Sequence, residues 1–143
     1  MRNLNRIIFI NSANIPYADD IYLDGNVHFI GTQGVGKSTV LRAILFFYNA
    51  DTQKLGIPVE KQSYTEYYFP YANSYIIYEV ATENGAFCIL SFKSMNRINY
   101  RFIDSPYRKE FFIDGETLTA YSGADRIRQQ LDEAGIDYSR IIY

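Results

Sequence analysis

The sequence predicts an α/β domain with a mixed sheet, in which a strand, a glycine-rich loop and a helix are followed by an antiparallel meander. Three observations lead to this prediction: the glycine-rich stretch Gly31–Ser38, alternating apolar residues between 74 and 103, and an amphipathic stretch over 124–134. A length of 143 residues fits a single domain, and a composition that is 48% hydrophobic is sufficient for a core.

The N-terminal part, residues 1–50, is predicted to contain the strands, the glycine loop and its helix. The predicted order is a strand over 4–11, a turn over 14–17, a strand over 21–23 closed by Asp24-Gly25, a strand over 26–30, and a helix over 39–48. The helical stretch has apolar side chains around most of its circumference, which predicts burial.

The remainder of the chain divides into a connection, the meander and a final helix. Residues 49–72 are predicted to be irregular, with Gly56, Pro58 and Pro70 as breakers. The meander, within 73–115, comprises predicted strands over 74–81, 86–92, 96–103 and 111–113. The last part, 122–143, is predicted to hold a helix over 124–134, capped by Ser122 and stopped by Gly135, and a strand starting near residue 140.

The stretch Gly31-Thr32-Gln33-Gly34-Val35-Gly36-Lys37-Ser38 fits G-x-x-x-x-G-K-[ST], the phosphate-binding P-loop. Glycines allow the backbone N–H groups to surround a phosphate chain, and the start of the following helix adds partial positive charge. Lys37 is the predicted catalytic residue, because its ammonium reaches the phosphates, and Ser38 is the predicted Mg²⁺ ligand. The predicted ATP-binding residues are Gly31, Gln33, Gly34, Val35, Gly36, Lys37, Ser38 and Thr39. The motif predicts a P-loop NTPase fold.

Charge and cysteine content bear on the partners and the compartment of the protein. A net charge of −2 supplies no basic footprint for nucleic acid, and the many tyrosines are expected to pack rather than to stack on bases. The single cysteine, Cys88, is predicted to be a core residue, which fits a reducing compartment. The apolar run Ile7–Ile10 is too short for a signal peptide or a membrane span, so a cytoplasmic protein without a membrane partner is expected.

A convincing acid for nucleotide hydrolysis is missing from the sequence. Asp24 and Asp114 precede glycines and are interpreted as turn residues, and Asp104 precedes Ser-Pro and is interpreted as a loop residue. No N/T-K-x-D motif is present, which argues against a small GTPase. The Asp132–Gly135 match to D-x-x-G and the Tyr121–Ala124 match to an ABC signature are interpreted as a helix end and a helix cap.

The order of these parts resembles the N-terminal lobe of an SMC-type ATPase head, the group of the SMC proteins, the bacterial condensin MukB and the RecF/RecN/SbcC repair ATPases. The resemblance covers nearly the whole chain. It is carried by Ile8-Phe9-Ile10-Asn11 as the first strand, by Val27–Leu45 around the glycine loop, by the meander from Ser74 to Ile103, and by Phe112–Glu116 with Ala134–Asp137.

The resemblance implies an ATP- and Mg²⁺-binding lobe that belongs to a longer coiled-coil ATPase, with its last strand leading to a Q-loop glutamine. Hydrolysis would then need the C-terminal lobe of the same protein and a second head, in a homodimer. DNA as a partner, and nucleoid association, are implied in the same way. The chain departs from the family pattern at Gln33, at Ser12-Ala13-Asn14, and in offering only Lys54 and Lys61 after the helix.

Two other functions remain open at this point. One is a complete small P-loop kinase or NTPase with Asp104 or Asp114 as its acid, which would turn over nucleotide as the isolated chain. The other is an interaction domain in which the glycine loop only caps a helix. If the chain is instead the N-terminal lobe of an SMC-type ATPase, the isolated chain is expected to bind ATP without hydrolysing it.

Overall fold

A computed structural model describes residues 3–23, 29–30, 40, 42–44, 61–95 and 97–141. The strands in this part are β1 (Asn3–Ser12), β2 (Ile15–Leu23), β3 (Phe29–Ile30), β4 (Tyr75–Thr82), β5 (Gly85–Ser94), β6 (Arg97–Ile103) and β7 (Tyr138–Ile141). The helices are α1 (Lys61–Tyr68), α2 (Ala124–Ala134) and a short 3-10 helix (Lys109–Phe111). Val40 and residues 42–44 are also helical. The strands form one sheet in the order β3-β2-β1-β4-β5-β6-β7.

The predicted α/β fold with a mixed sheet, and with it the P-loop NTPase fold class, is wrong. Every strand pairing among the described residues is antiparallel. The connections account for this, because β1–β2, β4–β5 and β5–β6 are each joined by only two residues, whereas a parallel neighbour needs a long crossover. The strand before the glycine loop was expected within a mixed sheet, but β3 pairs antiparallel with β2 at one end of the described strand order.

The first hairpin also differs from its prediction. The turn lies at Ala13 and Asn14, which have φ values of 52° and 63°, and not over residues 14–17. Positive φ at both central residues is the geometry of a two-residue hairpin turn. Pro16 is consequently inside β2, where proline is tolerated because the described pairing of β3 involves only Tyr22 and Leu23.

Three further local predictions fail. Within the stretch predicted to be irregular, residues 61–68 form α1, which ends before Pro70. The predicted strand over 111–113 is replaced by the end of the 3-10 helix and a single bridge between Ile113 and Ala120. The residue that caps α2 is Gly123 and not Ser122, and no side chain bonds the cap.

The core consists of two clusters on opposite faces of the sheet. Neighbouring residues of one strand alternate between them: Ile7 and Phe9 belong to the first cluster, and Ile8 and Ile10 to the second. The first cluster includes the helical residue Val40 and the end of α1, and the second includes the 3-10 helix and α2. The sheet is therefore covered on both faces, with the helical residues that follow the glycine loop on one side and α2 on the other.

Two predictions about single residues and segments are confirmed. Cys88 is buried in the second cluster, at 1% exposure, and burial raises the pKa of its thiol. Helix α2 spans 124–134, and Gly135 ends it in the left-handed conformation with φ of 71°. Among the described residues, no helix has both the length and the apolar character needed to span a membrane.

Candidate nucleotide-binding site

The described residues on either side of the glycine loop form a strand and a helix. Phe29 and Ile30 pair with Leu23 and Tyr22 at the end of β2. On the other side of the loop, Val40 and residues 42–44 are helical. The predicted phosphate-binding, catalytic and metal-binding residues all lie outside the described residues: Gly31, Gln33, Gly34, Val35, Gly36, Lys37, Ser38 and Thr39. The described flanks of the motif are thus a strand that pairs antiparallel with β2 and a helical segment.

The helical residues after the loop are anchored to the sheet by burial and by one hydrogen bond. Val40, Ala43 and Ile44 are at most 4% exposed and belong to the first core cluster. The hydroxyl of Tyr78, in the central strand β4, donates a buried hydrogen bond of 3.1 Å to the carbonyl oxygen of Ala43. A rigid helix start is what a phosphate site at this position would need, because its free N–H groups must keep their direction.

The β1–β2 turn contacts the end of α1 on the same face of the sheet. The backbone N–H of Ala13 donates to the carbonyl oxygen of Tyr67 at 3.1 Å. Burial raises the pKa of Tyr68, while the nearby charge of Arg42 opposes the rise. Of the two lysines considered after the glycine loop, Lys61 is the first residue of α1, and Lys54 lies outside the described residues.

Of the three acids considered for hydrolysis, one is remote from β3, one is engaged in a turn and one lies outside the described residues. Asp104 follows β6, which is five places from β3 in the sheet, or roughly 24 Å at the usual strand spacing. Asp114 is engaged in its own turn, where Oδ1 accepts the N–H of Glu116 at 2.8 Å. Asp24 lies outside the described residues.

The two short sequence matches also have structural roles. Asp132–Gly135 is the end of α2, where the N–H of Gly135 donates to the carbonyl oxygen of Asp132. In the Tyr121–Ala124 segment, the hydroxyl of Tyr75 donates to the Tyr121 carbonyl and accepts the N–H of Gly123. Both agree with the interpretation of these matches as a helix end and a helix start.

A polar cluster that the sequence did not predict lies on the second face of the sheet, between β1 and β4. Arg6 and Glu79 are paired strand residues, and their side chains form an ion pair of 3.0 Å that is 15% and 6% exposed. Glu79 also accepts from Asn5 Nδ2 and from the backbone N–H of Tyr107, both at 2.8 Å. Burial alone would raise the pKa of Glu79, but the hydrogen bonds from Arg6, Tyr107 and Asn5 lower it.

Aromatic rings surround the guanidinium of Arg6. Its Cζ lies 5.2 Å from the ring centroids of both Tyr22 and Tyr107. The hydroxyls of Tyr17 and Tyr107 are 2.6 Å apart, and burial is the largest of the effects that raise the pKa of Tyr17 to about 12. The cluster thus fastens the segment around Tyr107 to the sheet, which is a structural role.

The described residues contain no group of three or more His, Cys, Asp and Glu side chains placed to hold a metal ion. The sequence signals the polar cluster of Arg6 and Glu79 only weakly, because each is a single charged residue within a largely apolar strand.

Comparison with known proteins gives one match. Residues 8–143 match the family model described as "Protein of unknown function (DUF3584)", and the chain belongs to that family. No curated protein and no solved structure matches the chain.

Proposed function

We propose that this chain binds the phosphates of ATP together with Mg²⁺ through residues 31–39. The observation that carries the proposal is the G-x-x-x-x-G-K-[ST] motif, which stands directly between a strand, Phe29–Ile30, and a helical residue, Val40. The proposal rests on the motif and its flanks, and it does not require a parallel sheet.

The donor set of the motif fits a triphosphate. The backbone N–H groups of Gly34 to Ser38 would bind phosphate oxygens, and Lys37 would neutralise their charge. The hydroxyl of Ser38 is an oxygen ligand of the kind that Mg²⁺ accepts. The helix that follows is held at Ala43 by Tyr78, which supports a fixed direction for its N-terminal N–H groups.

We further propose that the chain acts as one part of a composite ATPase related to the SMC-type heads. Of the acids considered for hydrolysis, Asp104 is remote from β3 and Asp114 is engaged in a turn. A composite site would take the missing acid from a C-terminal lobe and would be completed by a second head. Such an ATPase would work on DNA in the cytoplasm, in chromosome organisation, repair or defence.

A complete small kinase or NTPase is the second candidate. The positions of Asp104 and Asp114 weigh against it, because a Mg²⁺ ligand must lie within a few ångströms of the metal. Asp24 is the one remaining candidate of the three considered, and Asp24→Asn would remove it.

The test measures ATP binding by calorimetry and phosphate release in the same samples of the chain. We expect binding that needs Mg²⁺, is lost in Lys37→Ala and is weakened in Ser38→Ala. Lys93→Ala is the matched control, because β5 lies four places from β3 and the affinity should not change.

Phosphate release separates the two candidates. Binding without release fits a part of a composite site. Steady release that disappears in Lys37→Ala and in Asp24→Asn identifies a complete enzyme. Absence of nucleotide binding contradicts both and leaves an interaction domain.

A further inference from the structure

Three arginines from three different elements meet at the end of the sheet farthest from the glycine loop. Arg101 in β6 and Arg140 in β7 are directly opposed in the antiparallel register. Arg128 is on α2, next to Ile127, which is buried against the same face of the sheet. We call Arg101, Arg128 and Arg140 the arginine cluster.

The strands at this end of the sheet carry basic side chains and no acidic ones. Strands β5, β6 and β7 contain Lys93, Arg97, Arg101 and Arg140 and no Asp or Glu, in a chain of net charge −2. Like charges placed directly opposite each other destabilise a sheet. The register therefore brings together charges that repel each other unless an anion lies between them.

Carboxylates near the arginine cluster compensate Arg128 but neither of the two opposed strand arginines. Asp125 forms an ion pair with Arg128 on the same helix. Asp132 hydrogen-bonds Tyr138, which raises the pKa of that hydroxyl, while the charge of Arg128 opposes the rise. Asp104 follows Ile103 and Asp137 precedes Tyr138, and these two strand residues are paired. The backbone N–H of Asp104 donates to the carbonyl oxygen of Asp137. Among the described residues, Arg101 and Arg140 have no carboxylate partner.

Arg101 is held in place with its charge uncompensated. Its Cζ lies 5.1 Å from the ring centroid of Phe92, and Nη1 donates to the carbonyl oxygen of Tyr100 at 3.1 Å. Burial, and then the charges of Arg140 and Arg128, lower the pKa of Arg101. Within the described part of the chain its other N–H groups bond no acceptor, and a guanidinium fixed in this way loses little freedom when it binds one.

We propose that the arginine cluster is a binding site for phosphate oxyanions, distinct from the glycine loop. Phosphate suits it better than a carboxylate, because it carries up to two charges and has several oxygens that can accept from the guanidinium groups of both Arg101 and Arg140. The phosphate comes either from a free anion or from the backbone of a nucleic acid. The site does not depend on nucleotide binding at residues 31–39, since β6 and β3 are five places apart in the sheet.

The first experiment compares thermal unfolding in inorganic phosphate and in chloride at equal ionic strength. We expect phosphate to raise the melting temperature of the wild-type chain and of Lys37→Ala, and to have no such effect on Arg140→Gln. Without phosphate, Arg140→Gln should melt at the same temperature or higher, because the substitution removes repulsion. Arg108→Gln is the matched control, since Arg108 pairs with Glu110 elsewhere on the surface and should leave the phosphate effect intact.

The second experiment titrates a short single-stranded oligonucleotide and identifies the source of the phosphate. Binding that Arg140→Gln and Arg101→Gln each weaken by about tenfold or more assigns the site to a nucleic-acid backbone. A phosphate effect without oligonucleotide binding assigns it to a free anion. The proposal is overturned if neither ligand affects the wild-type chain, or if the effects persist in Arg140→Gln. Arg140 is exposed, so its substitution tests the site even if Arg101→Gln impairs folding.

Discussion

Replacing Glu79 by Gln should destabilise the chain far more than the same change at an exposed ion pair. Glu79 is 5% exposed and accepts from Arg6, Asn5 and the N–H of Tyr107. Glutamine keeps the volume, but its NH2 group would face donors, and Arg6 would stay buried without its counter-charge. Breaking a buried pair costs about 3–5 kcal/mol, and we expect about 3 kcal/mol because Arg6 keeps its bond to the Asp19 carbonyl.

The assay is urea unfolding, with Glu110→Gln as the control. Glu110 pairs with Arg108, and the two side chains are 62% and 53% exposed, so its loss should change the free energy of unfolding by less than about 1 kcal/mol. A cost at Glu79 that is no larger than the cost at Glu110 would refute the reasoning.

The same variant should change the pH dependence of stability. The pKa of Glu79 is lowered in the folded chain, so its contribution is complete above the ordinary value of 4.5 and is lost as the pH falls through the folded pKa. Glu79→Gln should remove this part of the acid destabilisation. If the free energy of unfolding of Glu79→Gln depends on pH below 4.5 as that of the wild-type chain does, Glu79 is not the source of this acid destabilisation.

Three further predictions concern single residues. Gly135→Ala should lower the free energy of unfolding by about 1 kcal/mol in a urea titration, because alanine is strained at a φ of 71° although its Cβ meets no atom within 4 Å. Tyr78→Phe should lower the free energy of unfolding by about 1 kcal/mol, because the hydrogen bond to the Ala43 carbonyl is lost. It should also weaken ATP binding, and an unchanged affinity would show that this hydrogen bond does not support the nucleotide site. Cys88 should react with a thiol reagent at least about 100-fold more slowly in the native than in the unfolded chain, and fast native labelling would contradict its burial.

Elements with strong local signals were predictable from the sequence. Helix α2 has an apolar spacing that places Ile127 and Leu131 on one face, and a glycine stands where it ends. Strands β4, β5 and β6 alternate between buried faces and are joined by short turns, so their positions agree with the prediction to within about two residues.

Strand pairing and the polar cluster depend on contacts that no local pattern contains. The glycine motif predicts a strand before it but says nothing about the direction of that strand's neighbour. Arg6 and Glu79 are 73 residues apart and meet only through the register of β1 with β4. Helix α1 was missed because the prolines on both sides suggested a loop, although proline is compatible with a helix boundary.

The most direct test of nucleotide binding is a structure determined with Mg²⁺ and a non-hydrolysable ATP analogue. The proposal predicts that the phosphates lie against the backbone of Gly34 to Ser38, with the Lys37 ammonium on them and the Ser38 hydroxyl on the metal. It also predicts that the helix at Val40 begins with its N–H groups directed at the phosphates. A chain that leaves these residues without nucleotide at saturating analogue, or binds the analogue elsewhere, would contradict the account.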